Sequence, residues 1–346
     1  MIKNLTSLRG VFILFVFLHH CMGLYPGGGS MAVAFFFVLG GFSMTVGYRD
    51  RVLKPEFNYK QYLLRRCIKF YPLHWLCLLA AIPLMFLSLD KIQFPIFVAN
   101  ASLLQTWIPL KEYYFSFNWV SWYLANTIFF AIVFPWVFKL IMMSSVAIRA
   151  MIWTLLAVLY CSAVVLIPYE EYHTFLYISP YVRLTDFVFG IFLALLYFKL
   201  KERYNKILSF KYTTLSIIAL IVLLVVESCV LDKNVRLIAP LYWPLIILLI
   251  ILASLSEAQN GGGILSKNRM LQRLGELSFT IFLTHQLVIR YFKAIFKFFQ
   301  EDNIYLFVVL TLVSTVLISI LIERYILKPI TQWLTKRIQP SMIARS

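Results

Sequence analysis

The sequence predicts an all-α integral membrane bundle of about ten transmembrane helices, and three observations carry that prediction. Of 346 residues, 61% are hydrophobic and only 14% charged, against roughly 25% charged in water-soluble folds. Apolar runs of roughly 20 residues, each long enough for a ~30 Å hydrocarbon core, recur from one end of the chain to the other. These runs lack the strict alternation of a barrel, and in lipid only helices or closed barrels satisfy every backbone group.

The spans are read as apolar runs bounded by basic loops. The first covers about 5–24 and the second about 31–48, joined by a tight hairpin at Gly27, Gly28 and Gly29. No small-residue cleavage site follows the first run, so it reads as a retained span rather than a signal peptide. The loop that follows holds Arg49, Arg51, Lys54, Lys60, Arg65, Arg66 and Lys69. Such clustering places this loop, and with it the N-terminus, in the cytoplasm. A third span runs over about 71–89.

The stretch from Phe94 to Asn118 is broken by Pro95 and Pro109 and is rich in Trp, Tyr and polar residues, so it reads as an interfacial or re-entrant outer segment. Spans at about 118–138, 147–167 and 183–199 follow, with an acidic outer loop of Glu170, Glu171 and His173 before the last. Lys199, Lys201, Arg203, Lys206 and Lys211 mark an inner loop. Spans at about 213–231, 238–255, 275–297 and 304–326 complete the set, and a basic tail ends it. Arg290, Lys293 and Lys297 fall on the outer side, against the general charge bias. The expectation is one membrane-embedded domain over 1–346, with no appended soluble domain and both termini cytoplasmic.

Composition also excludes functions. The net charge of +17 comes from 32 Lys plus Arg against 15 Asp plus Glu, but these cations gather in short inter-span loops rather than in a stripe that follows a phosphate backbone. No nucleic-acid partner is expected. Five scattered cysteines show no metal-ligand spacing, and no His, Cys and carboxylate set has it either, so no metal is expected. No GxGxxG or GxxxxGK[ST] loop is present for a nucleotide.

Chemistry is sought among ionisable residues within spans, which are costly there and usually face a cavity. Arg9 and His20 lie eleven residues apart, which is about three turns plus 20°, so both side chains share one face with His20 about 16 Å deeper. A cation at the inner mouth below a base in the interior suits a phosphate-bearing donor whose reactive end reaches inward. The bland alternative is that Arg9 obeys the positive-inside rule and His20 bonds another helix. His19, about 100° away, reads as a packing residue. Arg65, Arg66 and Lys69 precede a span, where topology alone would put cations, yet convergent Arg and Lys are also what a phosphate site requires. His285 is about ten residues into its span, near the expected depth of His20, with Ser278 on nearly the same face. Arg183 and Asp186 can meet at i, i+3, either neutralising each other or orienting a sugar hydroxyl. Trp107, Trp119 and Trp122 suit a membrane-interface belt or stacking on a sugar. His74 reads as a packing or interfacial residue and His173 as solvated.

Together these segments resemble the acyltransferase-3 family of membrane acyltransferases, over nearly the whole chain. Leu8-Arg9-Gly10 followed by His20 resembles that family's Arg-x10-His signature, and Phe36 to Phe42 its FFxLSGF segment. Arg65 to Pro72 is similar to RRxxRxYP, Trp122 to Pro135 to a fourth-span pattern, Arg183 to Gly190 to R-x-x-D/E-F-x-x-G, and Gly275 to His285 to GxxSYxxYxxH. Departures are Gly40 for a serine, Lys69 for an arginine, Thr127 for a frequent glutamate, and Phe279 and Phe282 for tyrosines.

The resemblance implies O-acyl transfer, typically of an acetyl group, from cytosolic acyl-CoA to a hydroxyl of an extracytoplasmic glycan or lipid-linked sugar, at a bacterial cytoplasmic (inner) membrane. It implies His20 as the catalytic residue and Arg9 as part of the acyl-CoA site, with Arg65, Arg66 and Lys69 joining it. Asp186, Arg183, His285 and Trp122 are the expected substrate-side residues. Acetyl-CoA is a co-substrate in this reading, and no tightly bound cofactor is expected. A proton-coupled transporter or polysaccharide exporter, using His20, His285 and Asp186 as relay groups, is the alternative, against which no inverted repeat is evident.

Overall fold

The computed structural model describes residues 2–22, 28–87, 93–203, 238–260 and 264–338, with six further positions between 214 and 222. Among these residues there are helices and connecting turns but no strand. In chain order the helices are α1 (Lys3–Met22), α2 (Gly28–Val52), α3 (Tyr59–Leu87), α4 (Phe94–Ala101), α5 (Lys111–Tyr114), α6 (Ser121–Met143) and α7 (Val146–Leu166). After them come α8 (Pro180–Arg203), α9 (Ile238–Asn260), α10 (Ile264–Lys267), α11 (Arg269–Phe299), α12 (Ile304–Ile322) and α13 (Lys328–Ile338).

Seven helical runs among the described residues are long and apolar enough to cross a bilayer: α1, α2, α3, α6, α7, α8 and the run from α12 into α13. Of the other expected spans, the one near 213–231 lies largely outside the described residues. The one near 238–255 falls on α9, whose apolar stretch Tyr242–Ala258 is shorter, and the one near 275–297 lies within the 31-residue amphipathic α11. The segment after α3 forms no long helix: α4, a 3₁₀ turn at Gln105–Trp107 and α5 replace it. Asn100, Leu103, Gln105 and Thr106 of this irregular stretch are buried, while Leu104, Trp107 and Leu110 are exposed.

The chain divides into two compact units, Met1–Lys54 with Val133–Ser278, and Pro55–Ile132 with Phe279–Ser346. In the first, two helix crossings depend on glycine. Gly41 of α2 meets the backbone of Phe187 and Ile191 in α8, and Gly190 of α8 meets the backbone of Val38 and Phe42 in α2. Gly10 of α1 lies on the Leu271 carbonyl, and Gly275 on the Thr6 carbonyl. A Cβ at any of these positions would overlap backbone that cannot yield, so only small residues permit such approach. The start of α1 is held as well. Glu257 of α9 accepts from the amides of Lys3 (2.7 Å) and Asn4 (2.6 Å), satisfying two donors that have no partner inside their own helix. The Ser7 hydroxyl adds a bond to the Leu265 carbonyl, 2.6 Å.

In the second unit, α3 caps α4. A helix leaves its last carbonyls without intrahelical partners, and Tyr71, His74 and Trp75 donate to the carbonyls of Ser102, Asn100 and Ala101 at 3.2, 2.8 and 3.0 Å. Phe117 takes a left-handed φ of 52°, and Arg290 of α11 donates to its carbonyl at 2.6 Å. The expected outer-side exception at Arg290 is thus a clamp on this segment, with its guanidinium also 5.1 Å from the Trp119 ring centroid. Hydroxyls join α11 to α12 through Thr284 and Ser319, 3.0 Å apart.

Candidate active site

One unbroken helix, α1, carries both Arg9 and His20, so the eleven-residue spacing keeps them on one face as helical geometry requires. Arg9 donates through Nη2 to the Ser278 hydroxyl of α11, 2.9 Å away, and that hydroxyl in turn donates to the Gly275 carbonyl at 2.8 Å. The sequence grouped Ser278 with His285, whereas its partner here is Arg9. The His20 Nδ1 lies 2.8 Å from the Val16 carbonyl. A carbonyl only accepts, so Nδ1 carries the proton and the ring's basic lone pair sits on Nε2. His19 stands edge-on to His20, with ring centroids 5.1 Å apart, and its ring lies over Gly29 of α2, as a packing residue does.

The basic trio belongs to α3, in the second unit. Three residues on one helix present three exposures: Arg65 is half-buried, Arg66 buried and Lys69 exposed. The Arg66 guanidinium stands 5.4 Å from the Tyr62 ring centroid, and the Lys69 ammonium 5.3 Å from that of Phe70. Tyr62 is itself fixed by donating to the Ala131 carbonyl at 2.7 Å.

Arg183 and Asp186 meet as their spacing allows, at 3.0 Å and 1% and 0% exposure. Arg183 Nε also donates to the Tyr177 carbonyl, 2.9 Å, and its guanidinium lies 4.9 Å from the Tyr177 ring. Burial pushes the Tyr177 phenol above its ordinary pKa, with the Arg183 charge opposing. The second carboxylate oxygen accepts from the indole of Trp243 at 2.5 Å. Trp243 was not found by sequence reasoning, and a buried indole N–H in an apolar helix, which requires an acceptor, is the signal that points to it. Tyr160, Phe189 and Trp243 enclose the pair in aromatic contact, with Tyr160 to Trp243 at 4.3 Å and Phe189 to Trp243 at 4.7 Å.

His285 is fully buried in α11, with Nδ1 donating to the carbonyls of Phe282 (2.8 Å) and Ile281 (3.1 Å). Its lone pair, like that of His20, is therefore on Nε2. Trp122 is buried, while Trp107 and Trp119 keep exposed faces. His173 is exposed, as expected. Among the described residues no three His, Cys, Asp or Glu side chains come together as a metal site. Arg9, His20, Arg183 and Asp186 thus belong to the first unit, and Arg65, Arg66, Lys69, Trp122 and His285 to the second.

A family model described as an acyltransferase domain matches residues 2–324. The chain belongs to the acyltransferase-3 family. A relative, Acyltransferase MdmB of Streptomyces mycarofaciens, is 28% identical over 286 residues, covering 76% of this chain and 69% of its own length. No solved structure matches. This membrane acyltransferase therefore places its signature Arg and His on one helix, α1. The glycines of its other quoted segments are the points where α1 meets α11 and α2 meets α8.

Proposed function

We propose that this acyltransferase moves an acetyl or other short acyl group from cytosolic acyl-CoA to a hydroxyl of an extracytoplasmic glycan or lipid-linked sugar. It works in a bacterial cytoplasmic membrane with both termini inside. The observation that carries the reading is the bond from His20 Nδ1 to the Val16 carbonyl, which holds the imidazole in the tautomer whose Nε2 can accept a proton. Nε2 takes the proton of the acceptor hydroxyl as its oxygen attacks the thioester carbonyl. The tetrahedral adduct then collapses, the C–S bond breaks, and the thiolate of CoA recovers the proton from His20. Neutral histidine suits this exchange because its ordinary pKa is ~6.5.

The candidates for binding the donor's phosphates are Arg9 in the first unit and, separately, Arg65, Arg66 and Lys69 in the second, with Arg supplying forked, charge-assisted bonds that Lys cannot. His285 and Trp122 serve the acceptor side. Arg183 and Asp186 hold α8 in position through their mutual pairing and the indole of Trp243.

The test is transfer of label from radiolabelled acetyl-CoA to whole-cell glycan by the purified chain. General-base catalysis typically contributes about 10² to 10⁴ in rate, so His20→Ala should lose at least about 100-fold. His19→Ala, turned about 100° away on the helix, should lose far less. Both variants must retain acetyl-CoA binding. Near-normal transfer by folded His20→Ala, or inactivity of His19→Ala alone, would overturn the assignment.

A further inference from the structure

The helical run from α12 into α13, Ile304–Ile338, has 35 residues. At 1.5 Å per residue it is roughly 52 Å long, and even tilted by ~40° it spans about 40 Å, more than a ~30 Å hydrocarbon core accepts. α12 alone, with 19 residues, covers roughly 28 Å. The chain therefore leaves the core near the π-helical turn Glu323–Leu327, and α13 begins at the level of the lipid headgroups.

α13 has no buried residue, and its side chains sort by face. Thr331, Leu334, Thr335 and Ile338 are half-buried and share one side of the helix, toward α3, which packs beside it. Two rows at i, i+4, i+8 form the opposite side: Lys328, Gln332 and Lys336, and next to them Pro329, Trp333 and Arg337, all exposed. The Arg337 guanidinium lies 4.0 Å from the Trp333 ring centroid. At the turn, Arg324 stands 5.4 Å from the ring centroid of Tyr325, which is itself exposed.

This face has charge to neutralise. From Arg324 onward the sequence holds Arg324, Lys328, Lys336, Arg337 and Arg345 and no Asp or Glu. Glu323, the residue before, accepts from the Thr280 hydroxyl at 3.2 Å, and α3 contains no carboxylate. The ion pairs among the described residues lie elsewhere. The complement must therefore be anionic and come from outside these helices. Trp and Tyr at the end of a span settle at headgroup depth, and basic segments beside a span are drawn to anionic lipids there. Both rows point away from α3, the helix that carries Arg65, Arg66 and Lys69.

We propose that the outer face of α13 is a binding surface for anionic phospholipids, with Lys328, Lys336 and Arg337 pairing with their phosphates and Trp333 seated among the headgroups. This surface requires nothing of the acyl-transfer reading.

The test uses the full chain in nanodiscs of phosphatidylcholine and phosphatidylglycerol in equal parts, with quenching bromines on the acyl chains of one lipid or the other. Trp333 emission is read as the difference between wild type and Trp333→Phe. At low salt, phosphatidylglycerol should be enriched beside Trp333 roughly fivefold or more, the worth of about one Lys or Arg at an anionic surface. High salt should bring the two lipids toward parity. The triple variant Lys328→Gln, Lys336→Gln and Arg337→Gln should abolish the enrichment at an unchanged thermal midpoint, whereas Lys328→Arg, Lys336→Arg and Arg337→Lys together should keep it. If the glutamine variant does not fold, the salt series on wild type decides. Parity in wild type at low salt, enrichment indifferent to salt, or enrichment retained by the folded glutamine variant would overturn the proposal. So would displacement of phosphatidylglycerol from Trp333 by acetyl-CoA, which would assign this face to the donor instead.

Discussion

The two units bury polar side chains in opposite ways. In the first, Arg183, Asp186, Trp243 and the Tyr177 carbonyl form a closed set in which both carboxylate oxygens have donors. In the second, the segment from Asn100 to Ser121 uses neutral amides instead, with Asn100, Gln105 and Asn118 donating to the Tyr113 carbonyl, the Ser121 hydroxyl and the Leu283 carbonyl. Removing one partner of the charged pair leaves a buried charge uncompensated, whereas removing one amide leaves only a neutral group without its partner, which costs less.

The contrast can be broken most severely at Asp186. Asp186→Ala leaves the guanidinium of Arg183 buried without its counter-ion, which should cost about 3–5 kcal/mol in reversible unfolding from detergent. Replacing both partners, Arg183→Met with Asp186→Leu, should cost far less than the sum of the single changes, because paired removal deletes the desolvated charges together. Additive losses would show that the set is not closed. A smaller effect is expected at Trp243→Phe, which keeps the ring but removes a donor from a buried carboxylate, about 1–3 kcal/mol in the same measurement. The smallest effect belongs to the second unit: Gln105→Met, which removes the donor to the Ser121 hydroxyl, should cost about 0.5–1.5 kcal/mol in the same measurement. A Gln105→Met loss as large as that of Trp243→Phe would erase the distinction between the two regions.

Much of this was legible in the sequence. Clustered basic loops and apolar runs gave the helices, and the i, i+3 spacing of Arg183 and Asp186 was enough to pair them. The resemblance carried by Arg9, His20 and the glycine-containing segments led to the family that the matched residues 2–324 establish. Partners distant in sequence were not legible. Trp243 lies 57 residues from Asp186, and Glu257 is 254 residues from the Lys3 amide that it caps; no local period encodes either. Ser278 was grouped with His285 because helical spacing ranks neighbours on one helix and cannot see Arg9 arriving from another. His74 read as a packing residue, and it is packed, but its orientation is set by the last carbonyls of α4. The Asn, Gln and Thr residues of the segment after α3 read as interfacial because polarity in a broken stretch ordinarily means water, and only the fold reveals that protein covers them.

The anchoring of α1 has a mechanical consequence. Glu257 and the Gly10 and Gly275 contacts grip one end of a rigid rod, and His20 rides near its other end. A tilt of about 5° at the grip swings the imidazole by roughly 1.4 Å over a lever arm of ~16 Å. For the proposed transfer, a misplacement of about 1 Å can cost on the order of 100-fold in rate. Tolerance at the imidazole is thus set by how firmly the far end of its helix is clamped.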